Sequence, residues 1–276
     1  MNIAVLITCH NRSEKTLRSL DCLHLAMSYC KDEQFAIWLN DDGCSDDTAE
    51  KVGRTFPDVR IVNGSGNDFW CGGMRRAWLA AVGSGDAYDG YLWLNDDTMI
   101  KATALKMLLK SEHLSECILV GATQSIDMTR TTYSGRDAEG RLIDPTGQEE
   151  ESFLFNGNFV WVPKHAYQKL GVLPGYLTHA LGDFDYGHWA RKQGVKCYVL
   201  PSYVGVCDDT KQKTGWMDPN ESFLRRWKSL YSPKGGPEPP VFFRYNLRNY
   251  GVLRAVRMWG QQHLRLLFPC LWRNRV

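Results

Sequence analysis

The chain has 276 residues, enough to bury a sizeable core within one α/β domain. Its 33 basic and 31 acidic residues leave a net charge of +2, which supplies no general basic field and argues against a nucleic-acid partner. Nine scattered cysteines without a C-x-x-C pair argue against a disulfide framework or a zinc site, and they fit a reducing cytoplasm.

The opening MNIAVLITCHNR lacks a basic leader and a small-residue cleavage site, so it reads as a first strand. No apolar run approaches the roughly 20 residues of a membrane span. Strand-like runs from Ile3 to Thr8, Phe35 to Asn40, Val59 to Val62 and Gly90 to Leu94 alternate with helix-like stretches near 13–29, 45–55 and 72–83. This alternation is the pattern of βαβ units and a parallel sheet. Asn11 with Glu14, and Ser45 with Asp46 and Asp47, supply capping side chains and negative charge for first turns.

After Lys101 the pattern is less regular. A helix runs to about residue 111, apolar segments follow near 117–122 and 153–162, and another helix starts after Pro163, so strands of mixed direction are expected. SPKGGPEPP at 232–240 reads as a linker. Residues 241–276 carry seven arginines and no acid, interleaved with aromatic and aliphatic residues, and form a basic C-terminal extension. Residues 1–231 are then one domain, with halves 1–100 and 101–231, ahead of the linker and the extension.

Ligands of an open parallel sheet bind beyond the carboxyl ends of its strands. There the chain concentrates polar residues: Thr8-Cys9-His10-Asn11-Arg12, then Asn40-Asp41-Asp42-Gly43, then Asn95-Asp96-Asp97-Thr98. Asp41 to Thr48 is either a turn entering a capped helix or a carboxylate placed to accept a pyrimidine N–H. The adjacent acids Asp96 and Asp97 repel one another unless solvent or a cation compensates, and Mg2+ or Mn2+ needs only one or two such oxygens beside a phosphate. Gly64 to Gly73, which includes Asn67 and Trp70, is a plain loop or a backbone that approaches a phosphate or sugar at a helix start. No G-x-x-x-x-G-K-[ST] is present and no G-x-G-x-x-G follows the first strand, which argues against a P-loop ATPase and a dehydrogenase.

In order, these segments and the later Gly157-Asn158-Phe159-Val160, Gly171-Val172-Leu173 and Gly182-Asp183-Phe184-Asp185-Tyr186-Gly187 resemble the inverting family 2 glycosyltransferases over residues 1–207. The resemblance implies a GT-A-like α/β fold: a Rossmann-like mixed sheet with parallel N-terminal βαβ units, here with a C-terminal helical extension, so that 1–231 would be the catalytic domain, 1–100 its nucleotide-sugar half and 101–231 its acceptor half. It implies transfer of a sugar from a nucleotide-sugar donor, UDP or dTDP ahead of GDP, to a hydroxyl of a glycan or lipid-linked acceptor in bacterial surface-polysaccharide synthesis. Asp41 would contact the base, and Asn95-Asp96-Asp97 would be the DXD motif, with Asp97 on Mg2+ or Mn2+. Thr8, Asn11, Arg12, Asp42, Asn67, Trp70, Gly73, Asn95 and Asp96 would complete the donor side.

Gly182-Asp183-Phe184-Asp185 resembles the family's E-D-x-D motif, with Gly182 in place of the usual glutamate. Asp183 would be the general base, and Asp185 and Trp189 would face the acceptor, with Asp185 the alternative base. A third metal ligand near Val206-Cys207-Asp208-Asp209 stays unassigned. Asp183 also has a plain reading as a helix cap. A loop near Cys207 to Gly215 is expected to close over the donor. The arginine-aromatic tail suits either an anionic membrane surface or packing on the domain, so the expected location is cytoplasmic, with peripheral attachment to the inner face of the membrane as the further possibility. A sugar-phosphate nucleotidyltransferase and a silent nucleotide-sugar-binding or scaffold protein are the competing readings.

Overall fold

The computed structural model describes residues 1–209 and 215–269, so the expected lid around Cys207 to Gly215 lies largely outside the described residues. Four parallel strands, β1 (Asn2–Cys9), β2 (Gln34–Asp41), β3 (Arg60–Asn63) and β4 (Gly90–Leu94), form one half of an eight-stranded sheet in the order β3-β2-β1-β4. Beyond β4 the sheet turns mixed: Phe159–Pro163 runs antiparallel to β4, followed by Ile118–Val120, Cys197–Val199 and Glu150–Ser152. All four parallel segments read from the sequence are strands, with ends shifted by one residue or none.

The reason is burial on both faces. A strand places alternate side chains on opposite faces. Ile3, Val5 and Ile7 of β1 join one core with Leu20 and Leu23 of α1 (Ser13–Ser28) and Val52 of α2 (Thr48–Thr55). Ala4 and Leu6 join the other, with Met74, Ala77 and Trp78 of α3 (Phe69–Gly83). An apolar run without polar alternation is what a strand covered on both faces requires. The helix α4 (Ala104–Leu109) adds to the first core, and α5 (Lys164–Leu170) and α6 (Gly182–Lys192) add to the second.

Capping differs from the sequence reading. The first amide of α1, Ser13 N–H, donates to Asp46 Oδ2 at 3.0 Å, so the cap comes from the neighbouring loop. Asn11 instead has a φ of 51° and accepts from Ser45 N at 2.7 Å, which clasps the loops after β1 and β2 together. Asx side chains tolerate this left-handed geometry better than others.

A second sheet orders Met99–Ile100, Gly205–Val206, Thr123–Gln124 and Thr131–Tyr133. The expected linker is partly regular: Pro233–Gly235 is a single 3-10 turn, and Pro239 opens α8 (Pro239–Tyr250) after α7 (Phe223–Leu230). Proline suits a first helical turn because its missing N–H would have no partner there. Gly251, at φ 92°, separates α8 from α9 (Val252–Leu267). Among the described residues no helix is long and apolar enough to cross a membrane.

The passage of α3 over β1 depends on Gly73, where an added Cβ would lie 2.1 Å from Thr8 Oγ1 and 2.8 Å from Asn40 Nδ2. Gly73→Ala is therefore expected to lower stability by about 1–3 kcal/mol. Gly83→Ala, on the same helix with nothing within 4 Å of the added carbon, should leave it unchanged or slightly raised. Urea unfolding of the two variants checks this.

Candidate functional site

The carboxyl ends of β1, β2 and β4 open on one cleft of about 780 Å3, large enough for a nucleotide-sized ligand. Thr8, Arg12, Asp42, Asn67, Trp70, Asn95, Asp96, Asp97 and Asp183 all line it, so the structure brings together nine of the residues singled out from sequence.

Asp42 is buried at the end of β2, where its Oδ1 accepts from Gly66 N at 2.8 Å and Asp68 N at 3.0 Å, and its Oδ2 from Phe69 N at 2.8 Å. A carboxylate held by three amides is a strong, directional anchor. It ties the glycine-bearing loop and the start of α3 to the cleft rim. Trp70, one residue into α3, donates from Nε1 to Asn95 Oδ1 at 2.7 Å, which links this rim to the end of β4.

Asp96 is 5% exposed and pairs with Arg12 Nη1, at 3.2 Å, and Thr16 Oγ1, at 3.4 Å. Desolvation, reinforced by the charge of Asp97, pushes its carboxyl up to about 7 against the pull of Arg12. Asp97 faces the cleft, receives Arg12 Nη1 at 3.0 Å and the thiol of Cys207 at 3.6 Å. Asp208 lines the same cleft. Hard carboxylate oxygens of this kind suit Mg2+ or Mn2+, which would draw its remaining ligands from phosphate and water. Asp97 and Asp208 on this cleft carry oxygens that could hold such an ion, and Arg12 pairs with both Asp96 and Asp97.

Asp183 sits in the first turn of α6, after Leu181, rather than at the cap itself. Its Oδ2 accepts from Gly157 N at 3.0 Å and its Oδ1 from Phe184 N at 2.8 Å. Burial pushes its carboxyl up to about 6 despite these bonds and the nearby charge of Arg136. The absence of glutamate at 182 has a steric cause: a Cβ there would lie 2.4 Å from Cys71 Sγ and 3.2 Å from the Trp70 ring. Trp70 and Cys71 occupy the space a larger side chain would need.

Five other sequence candidates do not line the cleft. Asn11, Asp41 and Gly73 stand behind its wall as a loop clasp, a turn acceptor and a close-packing point, with Asp41 Oδ1 receiving Cys44 N at 2.9 Å. Asp185 and Trp189 lie on the far side of α6. At about 100° per residue they are turned roughly 200° and 240° from Asp183, so one helix cannot present all three to one ligand. Asp185, 1% exposed, instead accepts from Tyr176 OH at 2.6 Å and Asn249 Nδ2 at 2.7 Å and lies 3.7 Å from Arg248 Nε. The Arg248 guanidinium also sits 5.2 Å from the Trp189 ring, so this face of α6 docks α8.

Several cleft residues carried no sequence signal: Tyr133, Asn156, His179 and Lys234, while His10 was read only as part of the polar cluster after β1. Lys234 comes from the 3-10 turn in the expected linker. His179 is held below the ordinary histidine range by burial and by Arg12, and therefore stays neutral at pH 7. Asn156 Oδ1 is buried with no hydrogen-bond partner among the described residues.

Residues 4–169 match the sequence model of the family described as Glycosyl transferase family 2. No curated protein matches the chain. Among solved structures, the mannosyltransferase PcManGT from Pyrobaculum calidifontis, in complex with GDP-Man and Mn2+, superposes with a TM-score of 0.52 at 17% identity, covering 99% of this chain and 76% of that one. TarS residues 1–349 from S. aureus, in complex with UDP-GlcNAc, superposes with a TM-score of 0.55 at 13% identity, covering 100% of this chain and 74% of that one. At these identities the likeness establishes the GT-A fold.

The raised carboxyl of Asp183 gives a signed stability prediction. An acid lifted from the ordinary range to about 6 favours the folded state below pH ~4, and that contribution is lost as pH rises through about 6. Asp183→Asn should therefore be more stable than the parent by about 1–2 kcal/mol at pH 8, with the gain vanishing near pH 4, as read by urea unfolding at both values.

Proposed function

The chain belongs to glycosyl transferase family 2, and we propose that it transfers a sugar, with inversion, from a nucleotide-sugar donor to a hydroxyl of a glycan or lipid-linked acceptor, in bacterial surface-polysaccharide synthesis. The observation that carries this reading is the joint exposure of Asp97 and Asp183 to one cleft, from β4 and α6. UDP or dTDP stands ahead of GDP only by the resemblance of the aspartate turn after β2, since Asp41 does not line the cleft and Asp42 is taken up by three amides, and the two neighbours carry GDP-Man and UDP-GlcNAc.

Asp183 takes the proton of the acceptor hydroxyl as that oxygen forms its bond to the anomeric carbon. The bond from that carbon to the nucleotide diphosphate breaks on the opposite face, which inverts the centre. Gly157 N and Phe184 N hold the carboxylate in place through both oxygens, and the raised position of its proton equilibrium makes it a stronger base than an ordinary aspartate. Arg12, at the end of β1, offers positive charge to the departing diphosphate. Mg2+ or Mn2+ on Asp97 would supply further charge neutralisation there. Asn156, with its unpartnered acceptor, is suited to a donor or acceptor hydroxyl.

The C-terminal helices support a location at the inner face of the cytoplasmic membrane. One side of α9 packs through Ala255 and Leu266, while Leu253 is 86% exposed and Val256, Trp259 and Leu267 are exposed beside Arg254 and Arg257. Apolar side chains flanked by arginines suit an anionic lipid surface. Leu253→Glu combined with Val256→Glu should reduce co-sedimentation with phosphatidylglycerol vesicles severalfold, and unchanged sedimentation would remove the membrane from this reading.

For the reaction itself, Asp183→Asn is expected to lower kcat by about 10²–10⁴-fold while keeping donor binding. Asp97→Ala should lose the manganese-dependent rise in Tm that a nucleotide sugar produces. Because Asp183 must be ionised to accept the proton, activity should rise with pH and level off above about 6. Thermal shift with UDP-, dTDP- and GDP-sugars, followed by transfer assays across pH, checks all three.

A further inference from the structure

The loops after β1 and β2 meet at a second cluster, which the proposed transfer chemistry does not use directly. Cys9 Sγ and Cys44 Sγ stand 3.9 Å apart. With the carboxylate of Asp41 they bring three ligand atoms within 4.8 Å of one another, and among the described residues no other group of His, Cys, Asp and Glu side chains is gathered so closely. Two thiols at this range suit either a disulfide or a shared ion, and the separation discriminates between them. A disulfide of about 2.05 Å would require the sulfurs to close by roughly 1.9 Å. A tetrahedral ion with metal–sulfur bonds of about 2.3 Å sets two sulfurs roughly 3.8 Å apart, close to the separation observed.

We propose that Cys9, Asp41 and Cys44 form a three-ligand site for a thiophilic divalent cation of the zinc type, with its fourth position left to water. The ligands are set before any ion arrives. Cys9 and Asp41 are register partners at the ends of adjacent strands. Cys44 is fixed twice: its N–H donates to Asp41 Oδ1 at 2.9 Å and its sulfur accepts from Asn11 N at 3.2 Å. Asn11 is in turn held by Ser45 N. Outer contacts of this kind orient ligands and raise affinity. Cys9 lines the cleft, which gives an ion a way in.

The softness of the donors separates this site from Asp97. Thiolates select zinc-like ions, whereas carboxylate and phosphate oxygens select Mg2+ or Mn2+. The site stands on geometry alone.

The test uses the full chain, chelated and reduced, and titrated with Co2+ as a spectroscopic stand-in for zinc. One Co2+ per chain with thiolate charge-transfer and tetrahedral d–d bands, displaced by Zn2+, lost in Cys44→Ser and retained in Cys117→Ser, is the expected result. Absence of these bands in the parent, or their survival in Cys44→Ser, overturns the site. Cys44→Ala repeats the comparison if serine lowers the Tm of the metal-free protein.

Discussion

Two adjacent carboxylates at the end of β4 set the terms for the whole cleft. Asp96 and Asp97 follow a strand that is buried along its full length, so one of them must point down into low dielectric while the other faces the opening. The buried one is tolerable because Arg12 reaches it from β1 and Thr16 from α1. The same guanidinium touches Asp97, so a single cation spans both acids. Loop lengths after β1, the start of α1 and the second sheet that brings Cys207 to Asp97 are all arranged about this charge.

The arrangement leaves the cleft under-neutralised, and that is a functional property. Arg12 brings one positive charge to two acids, and Lys234 is the other Lys or Arg among the lining residues, against Asp42, Asp183 and Asp208 as well. An incoming diphosphate adds more negative charge, so it fits only with a cation or with Arg12 turned toward it. Asp183 lies across the cleft from this crowd, held by amides rather than by a cation. Its environment therefore differs in kind from that of Asp96: both are lifted by burial, but Asp96 is paired with Arg12 whereas Asp183 is held by two backbone amides. Burial of an ionisable base costs stability and supplies reactivity, which is the usual trade at a working site.

The parts legible in the sequence were those governed by local pattern. Ile3 to Thr8 and Gly90 to Leu94 announce themselves because a strand covered on both faces must be apolar throughout, and the polar clusters follow because strand ends are where such a run must stop. What the sequence concealed was orientation around a helix and contacts across it. Asp183 and Asp185 look equivalent in a motif, yet two residues of helix turn them to opposite sides, one to the cleft and one beneath α8. Strands of two or three residues, such as Thr123–Gln124 and Gly205–Val206, are too short to carry a period, so the second sheet left no trace. Lys234 was hidden for the opposite reason: a proline-glycine stretch reads as a break, although it folds into a turn that returns to the cleft.

The same loops that build the donor end also separate two kinds of cation by chemistry alone. Oxygen donors gather after β4, sulfur donors after β1 and β2, and Asp41 joins the sulfurs because the register of β1 with β2 sets it opposite Cys9. A parallel sheet makes such a division natural, since each strand end contributes its own loop and neighbouring loops share one face. The Asn11–Cys44–Asp41 hydrogen bonds, by fixing the loop in advance, reduce the ordering that an ion would otherwise have to bring about.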